Sequence, residues 1–99
     1  MQDSTVVARC ADVVGAELEG SIVLLQIKTG TYLELNSTGT HAWESLEEPQ
    51  RFSSLIESCL RDFEIDEATC RREMASFLQN LATNKFIRVE RSAEGQIGS

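Results

Sequence analysis

Strict alternation gives way to helical spacing a third of the way along this chain, and the change falls within Gly30 to Gly39. Upstream, Val14, Ala16 and Leu18 alternate with Gly15, Glu17 and Glu19. That period of two predicts a strand with its apolar face covered. Gly20-Ser21 interrupts it, and Ile22 to Lys28 then carries apolar residues on both faces, as a central strand requires. Lys28-Thr29-Gly30-Thr31 predicts a hairpin turn with glycine at a positive φ. A third strand, Thr31 to Leu35, completes an antiparallel meander, with Leu33 and Leu35 turned to the core and Tyr32 and Glu34 turned away.

Downstream the spacing is helical. Asn36, Ser37 and Thr38 offer N-cap oxygens for a short helix over Thr40 to Leu46, which Glu47-Glu48-Pro49 ends. A second helix starts at or just before Ser53. Its Leu55, Ile56, Cys59, Leu60 and Phe63 form one buried stripe. Asp66 caps a third and longest helix, about Glu67 to Thr83, with Cys70, Met74, Phe77 and Leu81 on its core face. Asn84 is the residue expected to close it in the left-handed conformation. Phe86, Ile87 and Val89 form an apolar return onto the helices. The fold class read from this order is α+β, a three-stranded antiparallel sheet followed by three helices, winged helix-turn-helix-like. Thr5-Val-Val-Ala is β-prone but isolated, so residues 1–12 read as a flexible lead-in, with an extra edge strand as the alternative. Residues 13–90 read as the domain and 91–99 as a disordered tail.

Composition narrows the function. A length of 99 residues with 41% apolar content supports one small core. A net charge of −7 opposes nucleic-acid binding, which depends on Lys and Arg neutralising phosphates, and favours a basic or neutral peptide partner. No run approaches the roughly 18 apolar residues of a membrane span, and Met1-Gln2-Asp3-Ser4 does not open a signal peptide, so a cytoplasmic protein is expected. Cys10, Cys59 and Cys70 form no C-x-x-C pair and read as reduced thiols, with no metal or cofactor implied.

Catalytic constellations are weak. Asp62, Glu64, Asp66 and Glu67 cluster at a helix boundary, where acidic residues favour the following N-terminus. His41 has no nucleophile and carboxylate at triad spacing. A non-enzymatic role follows. On the third helix, Ala68, Arg71, Ala75, Leu78 and Ala82 form a flank beside the core stripe, made shallow by alanines seven residues apart. It is read either as one wall of a groove or as a device for close approach to the sheet. Were the third strand an edge, its free N–H and C=O groups would pair with an extended peptide, and Tyr32 and Glu34 would meet the visitor's side chains. The alternative for Tyr32 is that it only covers the outer face. A winged-helix regulator would instead present Arg71 and Arg72 to DNA. Glu67 and Glu73 on the same helix oppose that reading.

The run Thr29-Gly-Thr-Tyr-Leu-Glu-Leu-Asn-Ser-Thr-Gly-Thr-His-Ala-Trp43 resembles the segment of PqqD-like proteins that ends L-N-x-T-G-x-x-x-W. Phe77-Leu78, Leu81 and Phe86-Ile87 are similar to that family's last helix and return. The resemblance spans about residues 13 to 90. It implies a recognition element for ribosomally synthesised and post-translationally modified peptides. Such a domain is non-catalytic, binds a precursor's leader as a strand beside its own third strand and against its third helix, and brings it to a maturation enzyme. Carried onto this chain, the peptide-binding residues are Thr31, Tyr32, Leu33, Glu34, Leu35, Arg71, Ala75, Leu78 and Ala82. The enzyme served would be a lasso-peptide leader protease of the cysteine class. The alternatives are a radical-SAM enzyme, served by a pyrroloquinoline quinone-type chaperone, and a DNA-binding winged-helix role.

Overall fold

The structure, a computed structural model, describes residues 1–90. The tail expected over 91–99 lies outside them. Six strands and three helices follow in the order β1 (Val6–Arg9), β2 (Val13–Leu18), β3 (Ser21–Gln26), β4 (Thr31–Leu35), α1 (Ser37–Ser45), β5 (Gln50–Arg51), α2 (Phe52–Asp62), α3 (Glu67–Thr83) and β6 (Ile87–Glu90). The protein is α+β with antiparallel sheets and three helices. The meander β2-β3-β4 forms as expected, with β3 central. Gly30 sits at φ +74°, as its turn demands.

The strand count needs correcting. A second three-stranded sheet, in the order β5-β1-β6, stands beside the meander. Its central strand is β1, inside the segment expected to be a flexible lead-in, and Val7 is fully buried there. Val7 pairs with Gln50 on one side and Val89 on the other, partners more than forty and eighty residues away. No local signal in Thr5-Val-Val-Ala announces such pairing. The return after α3 is the strand β6, which buries Phe86 and Ile87 in or just before it but leaves Val89 exposed.

Both sheets and all three helices share one core, in which Val7, Leu24, Leu35, Trp43, Phe52 and Leu81 meet. The helix starts follow their caps. Asn36 Oδ1 accepts the Gly39 N–H at 2.7 Å, so α1 begins three residues earlier than the expected Thr40. Asp66 accepts from the Thr69 N–H at 3.0 Å and its hydroxyl at 2.8 Å, and α3 runs over the expected residues. The helix closes differently. Lys85, not Asn84, takes the left-handed conformation, at φ +64°, while Asn84 sits at φ −91°. Phe86 N donates to Leu81 O at 2.9 Å and Lys85 N to Ala82 O at 3.1 Å, which satisfies the last carbonyls of α3. Gln26, buried in β3, donates through Nε2 to Lys85 O and so pins the meander to this turn.

The meander also faces the opposite way along β2. Val14 and Leu18, expected on the covered face, are 49% and 59% exposed. The inward row is Val13, Gly15 and Glu17. A Cβ at Gly15 would lie 3.5 Å from Leu24 and 3.7 Å from the Trp43 indole nitrogen. These are ordinary van der Waals distances, so Leu24 and Trp43 lie beneath this stretch of β2 without a side chain at Gly15 being needed to cover them. Arg9 stacks over Trp43 at 4.3 Å from the ring centroid and donates to the Trp43 carbonyl, joining β1 to α1. Among the described residues no helix is long and apolar enough to cross a membrane.

Candidate functional site

Among the described residues β4 has one hydrogen-bonded neighbour, β3, and its other edge is open. Along an antiparallel strand every second residue directs its N–H and C=O to the free side, and these groups are a ready template for an added strand. The side chains alternate as predicted. Leu35 is in the core and Leu33 packs against it, whereas Tyr32, 70% exposed, and Glu34 project outward. Thr31 is half-buried at the hairpin end, where its hydroxyl lies 2.8 Å from that of Thr29.

At the other end of β4 the chain passes through Asn36 into α1, and there a cleft of about 130 Å³ opens. Asn36, Thr38 and Gly39 form one wall. Cys70, Glu73, Met74 and Phe77 of α3 form the other, with Cys59 and Ile65 at its side. Gly39 is required by close approach, because a Cβ there would meet the Phe77 ring at 3.1 Å. The lining mixes the polar side chains of Asn36, Thr38 and the exposed Glu73 with the apolar and sulfur-bearing Cys59, Ile65, Cys70, Met74 and Phe77. Burial and the neighbouring Cys59 thiol push the Cys70 thiol up to about 12. It is therefore protonated at neutral pH and acts as an apolar wall rather than a nucleophile.

The sequence-predicted residues divide. Thr31 to Leu35 lie together on the open edge strand. Those predicted on α3 do not join them. The Arg71 guanidinium is bound to Asp3 at 2.6 Å and Glu67 at 2.8 Å, on the side of the N-terminal segment. Those carboxylates hold the Arg71 pKa above its usual value. Leu78 is fully buried in the core, and Ala75 and Ala82 pack against that core. The reading of this flank as close approach therefore describes it better than the groove reading. The α3 residues that line the cleft, among them Glu73, Met74 and Phe77, are not among those expected from the sequence. Phe77, expected on the core face, is half-buried and packs against the core while also lining the cleft, and Leu78, expected on the flank, is fully buried. Both residues fit an apolar stripe on α3, and the signal that separates them is Gly39, whose missing side chain makes room for the Phe77 ring.

His41 Nε2 lies 2.9 Å from Ser58 Oγ and 3.0 Å from Asp62 Oδ2. A nucleophile–base–carboxylate relay needs both ring nitrogens. Here one nitrogen meets both partners, and the ring packs edge-on to Phe63 at 5.3 Å, so the group ties α1 to α2.

Residues 21–87 match the family model described as coenzyme PQQ synthesis protein D (PqqD). Among solved structures, the chain is similar to one described as TbiB1 in complex with the TbiA(beta) leader peptide. The identity is 30%, 82% of this chain and 94% of that one are covered, and the TM-score is 0.76. It is also similar to a lasso peptide synthetase B1 complexed with the leader peptide, at 18% identity over 83% of this chain and 96% of that one, with a TM-score of 0.73. The second likeness concerns the fold alone. No curated protein matches significantly.

Proposed function

The chain belongs to the PqqD family, and from that premise we propose that it is a non-catalytic recognition element that binds the leader region of a ribosomally synthesised precursor peptide. The leader adds as a strand along the open edge of β4 and seats an apolar side chain in the cleft between Asn36–Gly39 and Cys70–Phe77. The observation that carries this reading is the unpaired β4 edge running into that cleft. It gains support from the 30% identical chain whose structure contains a leader peptide. Main-chain bonds along Thr31 to Leu35 supply affinity, and the cleft supplies selectivity. Arg71, Ala75, Leu78 and Ala82 are replaced in this proposal by Glu73, Met74 and Phe77. Glu34 and Glu73 beside the site favour a leader with basic residues flanking its apolar anchor.

The bound leader is delivered, in the cytoplasm, to a separate maturation enzyme, a lasso-peptide leader protease. The family's description in terms of coenzyme PQQ synthesis favours a second reading, a chaperone for a radical-SAM peptide-modifying enzyme. The winged helix-turn-helix likeness of the three helices and the meander is then a matter of architecture, with peptide rather than DNA as the ligand at a net charge of −7.

The test is fluorescence anisotropy with a labelled leader peptide encoded beside the gene. Thr38→Trp, which fills the cleft from an exposed position, is expected to weaken binding about tenfold or more. Unchanged affinity in a folded Thr38→Trp variant would remove the cleft from the proposal. No binding by the unmodified protein would remove leader recognition altogether.

A further inference from the structure

The meander has a second margin at β2. Among the described residues β2 pairs with β3 alone. The two strands are joined by a two-residue turn, with Glu19 at φ +52° and Gly20 at φ +85°. Such a turn bonds the residues that flank it, here Leu18 and Ser21. Bonding direction alternates along an antiparallel strand, so Leu18, Ala16 and Val14 bond β3 while Glu17, Gly15 and Val13 direct their N–H and C=O groups to the free margin. The same three residues form the inward row. Beside them, between β2 and α1, runs a groove of about 320 Å³ bordered by Arg9, Gly15, Glu17, Trp43 and Glu44.

Arg9 shows what this groove lacks. Its guanidinium stacks on Trp43 and donates to the Trp43 carbonyl, but Nε is shielded from solvent and has no hydrogen-bond partner among the described residues. Buried N–H groups are nearly always bonded. Burial lowers the Arg9 pKa, outweighing the opposing pull of Glu47 and Glu44. A carboxylate carried on an added strand answers both the open margin and the cation. β2 itself carries one. When Gly15 faces Gly15 of a second copy, antiparallel register sets Val13 opposite Glu17 and Val14 opposite Ala16. Each inward Glu17 then enters the other copy's groove at the end where the chain passes from Arg9 to Val13. We propose that β2 pairs with β2 of a second copy about a two-fold axis at Gly15, forming one six-stranded sheet closed by two reciprocal Arg9–Glu17 ion pairs. The two Glu17 carboxylates lie four residues apart along that sheet, about 13 Å, past the ~8 Å screening length at physiological salt. The chain's own end starts from a poorer position, since Glu90 pairs with Val6, at the end of β1 away from Arg9. Both β4 edges stay at the outer margins of the joined sheet, so the inference stands apart from leader recognition.

With −7 on each chain the pairing is weak and is read at high concentration. In sedimentation velocity the full chain is expected to pass from monomer to dimer between about 10 μM and about 1 mM. Glu17→Lys, at an exposed position, sets a like charge against Arg9 and is expected to weaken self-association about tenfold or more. In a mixture of isotope-labelled and unlabelled chains, an intermolecular NOE between the α-protons of Val14 and Ala16 reads the register. A monomer throughout the range would overturn the proposal and leave the margin to the chain's own terminal segment or to solvent. A dimer that Glu17→Lys leaves unchanged, or that lacks the Val14–Ala16 contact, would overturn it too. So would a dimer that leader peptide dissociates, which would place the second copy on β4. Leader affinity is titrated separately and is expected to change less than about twofold in Glu17→Lys. Failure of the unmodified protein to bind leader counts against leader recognition alone.

Discussion

The two sheets of this protein have the same number of strands and opposite lives. In β5-β1-β6 the central strand pairs with segments from the middle and the end of the chain, and its Val7 has no exposed surface. In β2-β3-β4 the strands are consecutive, joined by short turns, and carry three of the six exposed large hydrophobic residues among the described residues. The first sheet ties the ends of the domain together. The second holds its shape locally and, among the described residues, leaves an edge unpaired. On the proposed function, stability and recognition fall to different sheets, and substitutions should separate them.

The largest effect is expected in the closed sheet. Val7→Asp places an unpaired carboxylate in the core and should cost more than ~4 kcal/mol, unfolding the domain in thermal denaturation. Leu78→Asp belongs to the same class, since Leu78 is a core residue and not a groove residue. In the open sheet, Tyr32→Pro and Leu33→Pro should behave unlike one another. Of two adjacent N–H groups, one bonds β3 and the other points to the free edge. The variant that keeps the β3 ladder should stay folded by circular dichroism and lose about tenfold or more in leader affinity. Two folded variants with normal leader affinity would erase the functional contrast between the sheets.

Smaller changes sharpen it. Arg9→Ala removes the stack on Trp43 and a bond to its carbonyl, and should cost about 1–2 kcal/mol in urea denaturation while leaving leader binding intact. Lys85→Gly relieves a left-handed non-glycine residue and should stabilise by ~0.5–1 kcal/mol. The smallest effect concerns acid. Thr69 holds the Asp66 carboxyl below its ordinary value of 3.8. A depressed pKa means that this contribution is complete above the ordinary value and is lost as pH falls through the lower, folded one. Asp66→Asn, which keeps a capping oxygen, should flatten that part of the acid limb in a series of melts.

What was legible in the sequence follows the same division. Gly30 and Asp66 act on residues within a few positions of themselves, so the hairpin turn and the start of α3 could be read directly, whereas Asn36, Ser37 and Thr38 all offer caps and the start of α1 was expected three residues late. The β1–β6 pairing depends on chain segments about eighty residues apart, and four β-prone residues after a polar start carry no trace of it. On β2 the alternation was visible but its direction was not, because Trp43 supplies the inner layer above Gly15. The strand half of the candidate site came from local signals. The helix half depended on which flank of α3 meets the start of α1, a question decided by Gly39 and Phe77 together.

The most direct measurement is an amide NMR titration of the labelled protein with the leader peptide. Saturable shifts at Thr31 to Leu35, Thr38 and Gly39, and Glu73 to Phe77, with β1 and β6 unmoved, are the predicted result. Saturable shifts centred on Arg71, Ala75 and Ala82 or on the closed sheet, with β4 silent, would contradict it.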